Sequence, residues 1–157
     1  METKVIQNSL FFSEVTNRIA DGERVRIRAK GNSMLPFIRD AIDEIILEEP
    51  NEKSLQKGRL LLVRLRNDRY VLHRVKKLNN TSITLQGDGN LNIFENCTPE
   101  DVIAEVTTLL RNGKAIQRGG FRWNLYRYLW PRNLFLRRIC LAIYRRAPFL
   151  QNNYNQN

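Results

Sequence analysis

Residues 23–30 alternate strictly between apolar and polar side chains. Val25, Ile27 and Ala29 fall on one side of this segment, and basic residues occupy the positions between and around them. Because successive side chains of a β-strand point to opposite faces of a sheet, this period of two predicts a strand with one buried face. The predicted strand leads directly into Gly31 and Ser33.

The same pattern extends over most of the chain. Apolar segments are separated by turn-forming pairs such as Asn79-Asn80 and Asn112-Gly113, whose residues tolerate the backbone conformations of tight turns. The pattern predicts further strands at 43–48, 59–66, 69–77, 81–86, 102–110 and 114–118. We therefore expect a mostly β body of the α+β class.

Helical spacing of apolar residues is found at the two ends of the chain. Ser9 is a suitable N-cap for a short first helix with Val15 and Ile19 among its apolar positions, and Asp21-Gly22 is suited to end it. Towards the other end, Pro131 can begin a helix that runs to about residue 146, since a proline at the first position forfeits no helical hydrogen bond. We expect a body of residues 1–118 and a helical tail of residues 119–157 that contains two short helices.

The tail differs from the body in charge. Residues 1–110 contain 16 basic and 16 acidic residues, whereas the other ten of the 26 basic residues follow Leu110, and Glu105 is the last acidic residue. Basic and aromatic residues are interleaved in FRWNLYRYLW at 121–130. This asymmetry predicts an anionic partner, either lipid headgroups or nucleic acid, and we expect a peripheral membrane anchor. The alternative is that Leu134, Phe135 and Ile139 pack on the body and the arginines form a solvated face.

Composition limits the classes of protein to be considered. The chain has 157 residues, 42% of them hydrophobic, which is enough for one domain with a core and too apolar for a disordered chain. Cys97 and Cys140 belong to no cysteine–histidine cluster, so we expect free thiols and no zinc site. No signal peptide is evident, and no segment reaches the ~20 apolar residues of a membrane span. We expect a protein of the cytoplasmic side, peripheral at the inner membrane.

Three short motifs carry candidate chemistry. GNSMLP at 31–36 contains Ser33, VLHRV at 71–75 contains His73, which is the only histidine, and GDGN at 87–90 contains Asp88. A serine hydroxyl is a weak nucleophile at neutral pH, and an imidazole with an unperturbed pKa of about 6.5 is a suitable base for it. A carboxylate orients such a histidine and stabilises its charged form. Ser33, His73 and Asp88 are therefore the predicted catalytic residues.

The order of these motifs resembles the signal peptidase I superfamily, the serine peptidase clan that also contains self-cleaving repressors. The string SMLP at 33–36 matches the Ser-Met-x-Pro box of that superfamily, and HRV at 73–75 resembles the box of the endoplasmic-reticulum type, whose base is histidine. The resemblance covers roughly residues 25 to 110. It implies a signal-peptidase-like β fold, a serine endopeptidase with Ser33 as nucleophile and His73 as base, and no metal or organic cofactor.

The acidic partner of His73 is open. Asp88 ranks first because it lies in the matched motif, although aspartate and glycine also favour tight turns for local reasons. Glu95 is the second candidate, and Asn90 offers an amide. The backbone N–H of Ser33 is a candidate oxyanion donor.

The function predicted from these residues is processing of a peptide or protein precursor. Substrates of the superfamily bind as an extended strand, and residues 25–29 or the segment near His73 are candidates for that edge. A repressor relative is disfavoured, because the roughly 22 residues before the first strand cannot hold a helix-turn-helix unit. The stronger rival is a non-enzymatic basic protein that binds nucleic acid or membrane through its tail.

Overall fold

The computed structural model of the protein describes residues 2–131 and 133–146. Residues 1, 132 and 147–157, which belong to the predicted body and tail, lie outside the described residues. The helices are α1 (Glu2–Ala20), α2 (Phe121–Leu129) and α3 (Leu134–Arg146). The strands are β1 (Val25–Arg28), β2 (Glu44–Glu48), β3 (Leu60–Arg64), β4 (Tyr70–Leu78), β5 (Ile83–Gln86), β6 (Glu95–Cys97), β7 (Val102–Arg111) and β8 (Lys114–Gln117). The predicted mostly β fold of the α+β class is confirmed.

All strand pairs are antiparallel, and the strand order is β1-β2-β7-β3-β4-β5-β6. Strand β7 pairs with β2 along one edge, and its other edge is shared between β3 and β8. Seven of the eight strands match segments predicted from the hydrophobic pattern. The exception is β6, whose three residues are too few for periodicity to reveal.

The sheet carries a core on each face. Leu60 and Leu62 of β3 belong to one cluster, whereas Leu61 and Val63 belong to the other, as the alternation of strand side chains requires. The first cluster also receives α1, the segment after Ser33 and Trp123 of α2. Consecutive residues of β4, which pairs with β3, likewise point to opposite faces of the sheet. Neighbouring residues of the candidate site therefore lie on different faces.

Helix α1 is longer than predicted. It begins at Glu2, so Ser9 lies inside the helix and the prediction of an N-cap there is wrong. Residues 2–9 contain no proline or glycine, and nothing in this segment stops the helix from extending. Its end at Asp21-Gly22 is confirmed, because the N–H groups of Gly22 and Glu23 return to the carbonyls of Ile19 and Arg18 in a Schellman arrangement.

The tail forms the two predicted helices, but α3 begins at Leu134 and not at Pro131. Asn133 caps it, since its Oδ1 accepts a hydrogen bond from the Phe135 N–H at 2.8 Å. Leu134, Phe135 and Ile139 are exposed, whereas Arg137 is buried. The alternative in which these three apolar residues pack on the body is therefore wrong, although Arg138, Arg145 and Arg146 are solvated as it expected.

Within residues 2–131 and 133–146, no helix combines the length and the apolar character needed to cross a membrane. Cys97 and Cys140 are both free thiols, and burial raises the pKa of Cys97 to about 11.

Candidate active site

His73 and Glu95 meet on one face of the sheet. His73 is on β4 and pairs with Leu61 of β3. Glu95 is on β6 and pairs with Leu85 of β5, the strand that lies between β4 and β6. The distance from His73 Nδ1 to Glu95 Oε2 is 2.9 Å. Because a carboxylate can only accept a hydrogen bond, we assign the proton to Nδ1, which leaves the lone pair of Nε2 free to accept another proton.

Nε2 of His73 is not fully buried, although only 4% of the residue's surface is exposed. Among the described residues, Nε of Arg137 is the only fully buried side-chain nitrogen or oxygen without a hydrogen-bond partner. Nε2 of His73 makes no hydrogen bond to any described residue, so it is not enclosed in the core. A histidine with a purely structural role is normally satisfied on both nitrogens. One ring nitrogen is thus hydrogen-bonded to a carboxylate, and the other has no hydrogen-bond partner among the described residues.

The electrostatic environment favours neutral His73. Burial lowers the pKa of His73 below its ordinary value of 6.5, while the negative charges of Glu95 and Asp88 oppose this shift. The net direction keeps the imidazole neutral at pH 7, which is the form able to accept a proton.

Asp88 is bound by arginine and not by histidine. Its carboxylate receives Nε of Arg74 at 2.8 Å and Nη2 at 2.6 Å, and both side chains are buried. A third donor of the guanidinium, Nη1, binds the carbonyl of Gly58 at 3.0 Å. Asp88, which ranked first as partner of His73, thus makes no hydrogen bond to it in the described part of the chain, and Glu95 does. The reason is strand alternation: Arg74 follows His73 and points to the opposite face, where it captures Asp88.

Residues 87–90, hereafter the GDGN turn, support the segment that carries Ser33. The N–H of Gly89 donates to the carbonyl of Ser33 at 2.7 Å. A Cβ on Gly87 would overlap the Ser33 carbonyl, and one on Gly89 would overlap the Asn32 carbonyl. Only glycine permits this close approach of two backbones, which gives a packing reason for both glycines of the motif.

The GDGN turn contacts Ser33 through the backbone. It makes no hydrogen bond to His73, although the negative charge of Asp88 raises the pKa of that histidine. In residues 2–131 and 133–146, no hydrogen bond joins the Ser33 hydroxyl to His73.

Arg137 of α3 connects the tail to Gln86 and the GDGN turn through hydrogen bonds. This buried guanidinium donates to Gln86 Oε1 at 3.0 Å and to the carbonyls of Gly87, Asp88 and Asn90 at 3.2, 2.7 and 3.0 Å. The indole N–H of Trp130 also donates to the Asp88 carbonyl, at 3.2 Å.

Two arginines of the site were not predicted from the sequence. Arg74 lies in the HRV motif next to His73, so the motif included this residue. Nothing in the motif indicated that Arg74 binds Asp88. Arg137 lies in an arginine pair of an amphipathic helix, and nothing in that pattern distinguishes a buried arginine from a solvated one. Comparison of the chain with models of known families and with curated proteins finds no match.

Proposed function

We propose that the protein is a serine endopeptidase in which Ser33 is the nucleophile, His73 the general base and Glu95 the residue that orients and charges the base. The observation that carries this proposal is the contact of His73 Nδ1 with Glu95, which leaves Nε2 unprotonated and without a hydrogen bond to any described residue. A neutral imidazole with one nitrogen hydrogen-bonded to a carboxylate and the other unprotonated is the arrangement that activates a hydroxyl.

The proposed reaction needs no metal or cofactor. As Ser33 Oγ bonds to the carbonyl carbon of a peptide, its proton passes to Nε2 of His73. When the carbon–nitrogen bond breaks, the same proton passes to the leaving amine and an ester on Ser33 remains. Water then attacks the ester by the same route in reverse, and the backbone N–H of Ser33 is a candidate donor to the oxyanion of each step.

Glu95 suits the supporting role better than Asp88. It reaches Nδ1 directly, and it stabilises the imidazolium that forms when Nε2 takes the proton. Nη2 of Arg69 donates a hydrogen bond to Glu95 Oε1 at 3.2 Å, so both oxygens of the Glu95 carboxylate have a partner. Asp88 is engaged by Arg74, and its role in the proposal is to hold the GDGN turn under the Ser33 segment.

A peptide substrate can be added as a strand at the edge formed by β1. This strand pairs with β2 and with no other strand of the described chain, so its second edge is open. Since β1 leads into the Ser33 segment, a peptide paired with that edge would run toward the nucleophile. The second edge strand, β6, carries Glu95 and lies beside the base.

Labelling with a fluorophosphonate probe tests the proposal, because such probes react only with an activated serine. We expect one adduct on Ser33, located by mass spectrometry of peptides, and its loss in His73→Ala. Lys76 is the matched control, since lysine is the other side chain that can serve as a base and burial lowers the pKa of this one below its ordinary value. Labelling should persist in Lys76→Met. No adduct on Ser33, or an adduct that survives in His73→Ala and disappears in Lys76→Met, would refute the assignment.

A further inference from the structure

Helix α3 is amphipathic with its apolar side turned outward. Arg137 and Leu141 are buried against the body, whereas Phe135, Ile139 and Ile143 are between 41% and 69% exposed. Positions four residues apart lie on one side of a helix, so these three form a continuous exposed stripe. Apolar side chains of this size are ordinarily the ones buried, and a polar arginine the one exposed.

Helix α2 repeats this arrangement. Trp123 is buried, with its ring 5.0 Å from that of Phe37 in an edge-on contact. Phe121, Leu125 and Leu129 have the same spacing of four and are between 42% and 80% exposed. Each helix of the tail therefore packs on the body by one side and presents an apolar stripe on another.

The charged side chains that α2 and α3 themselves carry are all positive. Arg122 on α2 and Arg138, Arg145 and Arg146 on α3 are exposed, and no acidic residue follows Glu105 in the sequence. A second copy of this surface would bring these arginines against their own kind. Nucleic acid would match the charge but would leave the leucine and isoleucine side chains in water. An anionic bilayer satisfies both features, because its headgroups attract the arginines and its acyl region accepts the stripes.

We propose that α2 and α3 form a docking surface for an anionic lipid bilayer. Each helix lies along the interface, since α3 has 13 residues and at ~1.5 Å per residue covers only roughly 20 Å of a hydrocarbon core of about 30 Å. The buried contacts of Trp123, Arg137 and Leu141 fix the surface to the body. This inference does not depend on the proposed peptidase activity.

Flotation of the full chain with lipid vesicles tests the inference. Vesicles of phosphatidylcholine alone are compared with vesicles of equal parts phosphatidylcholine and phosphatidylglycerol, and all variants carry Ser33→Ala so that catalysis plays no part. We expect flotation with the anionic vesicles, weakening with added salt. Phe135→Ser/Ile143→Ser should reduce binding by about tenfold or more, because part of two large apolar side chains no longer enters the interface. Arg138→Gln/Arg145→Gln should reduce it in low salt.

The matched control is Leu10→Ser/Leu78→Ser, which removes two exposed apolar side chains outside the tail. This variant should float like the parent, and circular dichroism should show that every variant is folded. Three results would overturn the inference. They are failure of the parent to float with anionic vesicles, equal loss of binding in the Leu10/Leu78 control, and a dimer in light scattering that the stripe variant dissociates while vesicles are not bound.

Discussion

Replacing Arg137 by alanine should loosen the tail and the GDGN turn together, and the structure allows the cost to be worked out. The guanidinium has four acceptors, but three of them are backbone carbonyls that keep another donor. The Gly87 carbonyl still accepts from the Asn90 N–H, and the Asp88 carbonyl still accepts from the Trp130 indole N–H. The Asn90 carbonyl still accepts from the side-chain amide of Gln86. Only Gln86 Oε1 loses the one hydrogen bond that it has.

One unsatisfied buried acceptor costs about 1–3 kcal/mol, and three weakened carbonyls add less than their full value. The variant no longer has to bury a charge on folding, and the saved desolvation cost offsets part of this loss. We therefore expect Arg137→Ala to lower the free energy of unfolding by about 2–3 kcal/mol, a large fraction of the ~5–15 kcal/mol of a typical domain, yet not enough to unfold it. Arg137→Lys should fall between alanine and the parent, because an ammonium cannot reach the same four acceptors as a planar fork.

Urea unfolding followed by two probes distinguishes a loosened tail from a destabilised body. Both tryptophans of the chain, Trp123 and Trp130, belong to the tail contacts, so their fluorescence reports docking, whereas far-ultraviolet circular dichroism reports the sheet and helices as a whole. In Arg137→Ala the fluorescence transition should move to lower urea, at least as far as the dichroism transition does. The matched control is the exposed neighbour Arg138→Ala, which should stay within about 0.5 kcal/mol of the parent. Equal behaviour of the two alanine variants would refute the reasoning.

Ser33→Ala and His73→Ala should each abolish peptide cleavage without unfolding the protein, and the double variant should be no worse than either, because the two groups act as a unit; full activity in Ser33→Ala would end the peptidase hypothesis. Glu95→Gln should lower kcat/KM about 100-fold or more. Since the Glu95 charge raises the pKa of His73, its removal should move the acidic limb of the pH profile to lower pH, and an upward shift would contradict the assignment. Asp88→Asn should destabilise by about 3–5 kcal/mol because buried Arg74 loses its partner, whereas Asp68→Asn in the exposed pair with Arg64 should cost less than about 1 kcal/mol. If Asp88→Asn lost all turnover at unchanged stability while Glu95→Gln stayed active, Asp88 would regain the catalytic role.

The position of most strands followed from the sequence alone. A period of two reports a sheet with distinct faces, and pairs such as Asn112-Gly113 report where the chain reverses, so β1 to β5, β7 and β8 were predicted within a few residues of their ends. A serine, a lone histidine and nearby carboxylates also suggested acyl-transfer chemistry, which stays a prediction. Short β6 escaped because three residues carry no period.

The tertiary structure decided which carboxylate meets His73. In the sequence, Asp88 lies in the motif and Glu95 outside it, but β6 returns beside β5 and brings Glu95 to the face of His73. Arg74, one residue further along β4, turns to the other face and binds Asp88. Strand pairing between distant segments sets these contacts, and no local pattern contains that information.

The tertiary structure also determines which side of the tail helices is exposed. Periodicity shows that α3 has an apolar side and a basic side, but it does not say which of them meets the body. Four acceptors around the GDGN turn can satisfy a buried guanidinium, so Arg137 faces inward and the stripe of Phe135, Ile139 and Ile143 faces outward. A charged side chain is buried where the fold supplies its hydrogen bonds, and those acceptors exist only after the sheet has formed.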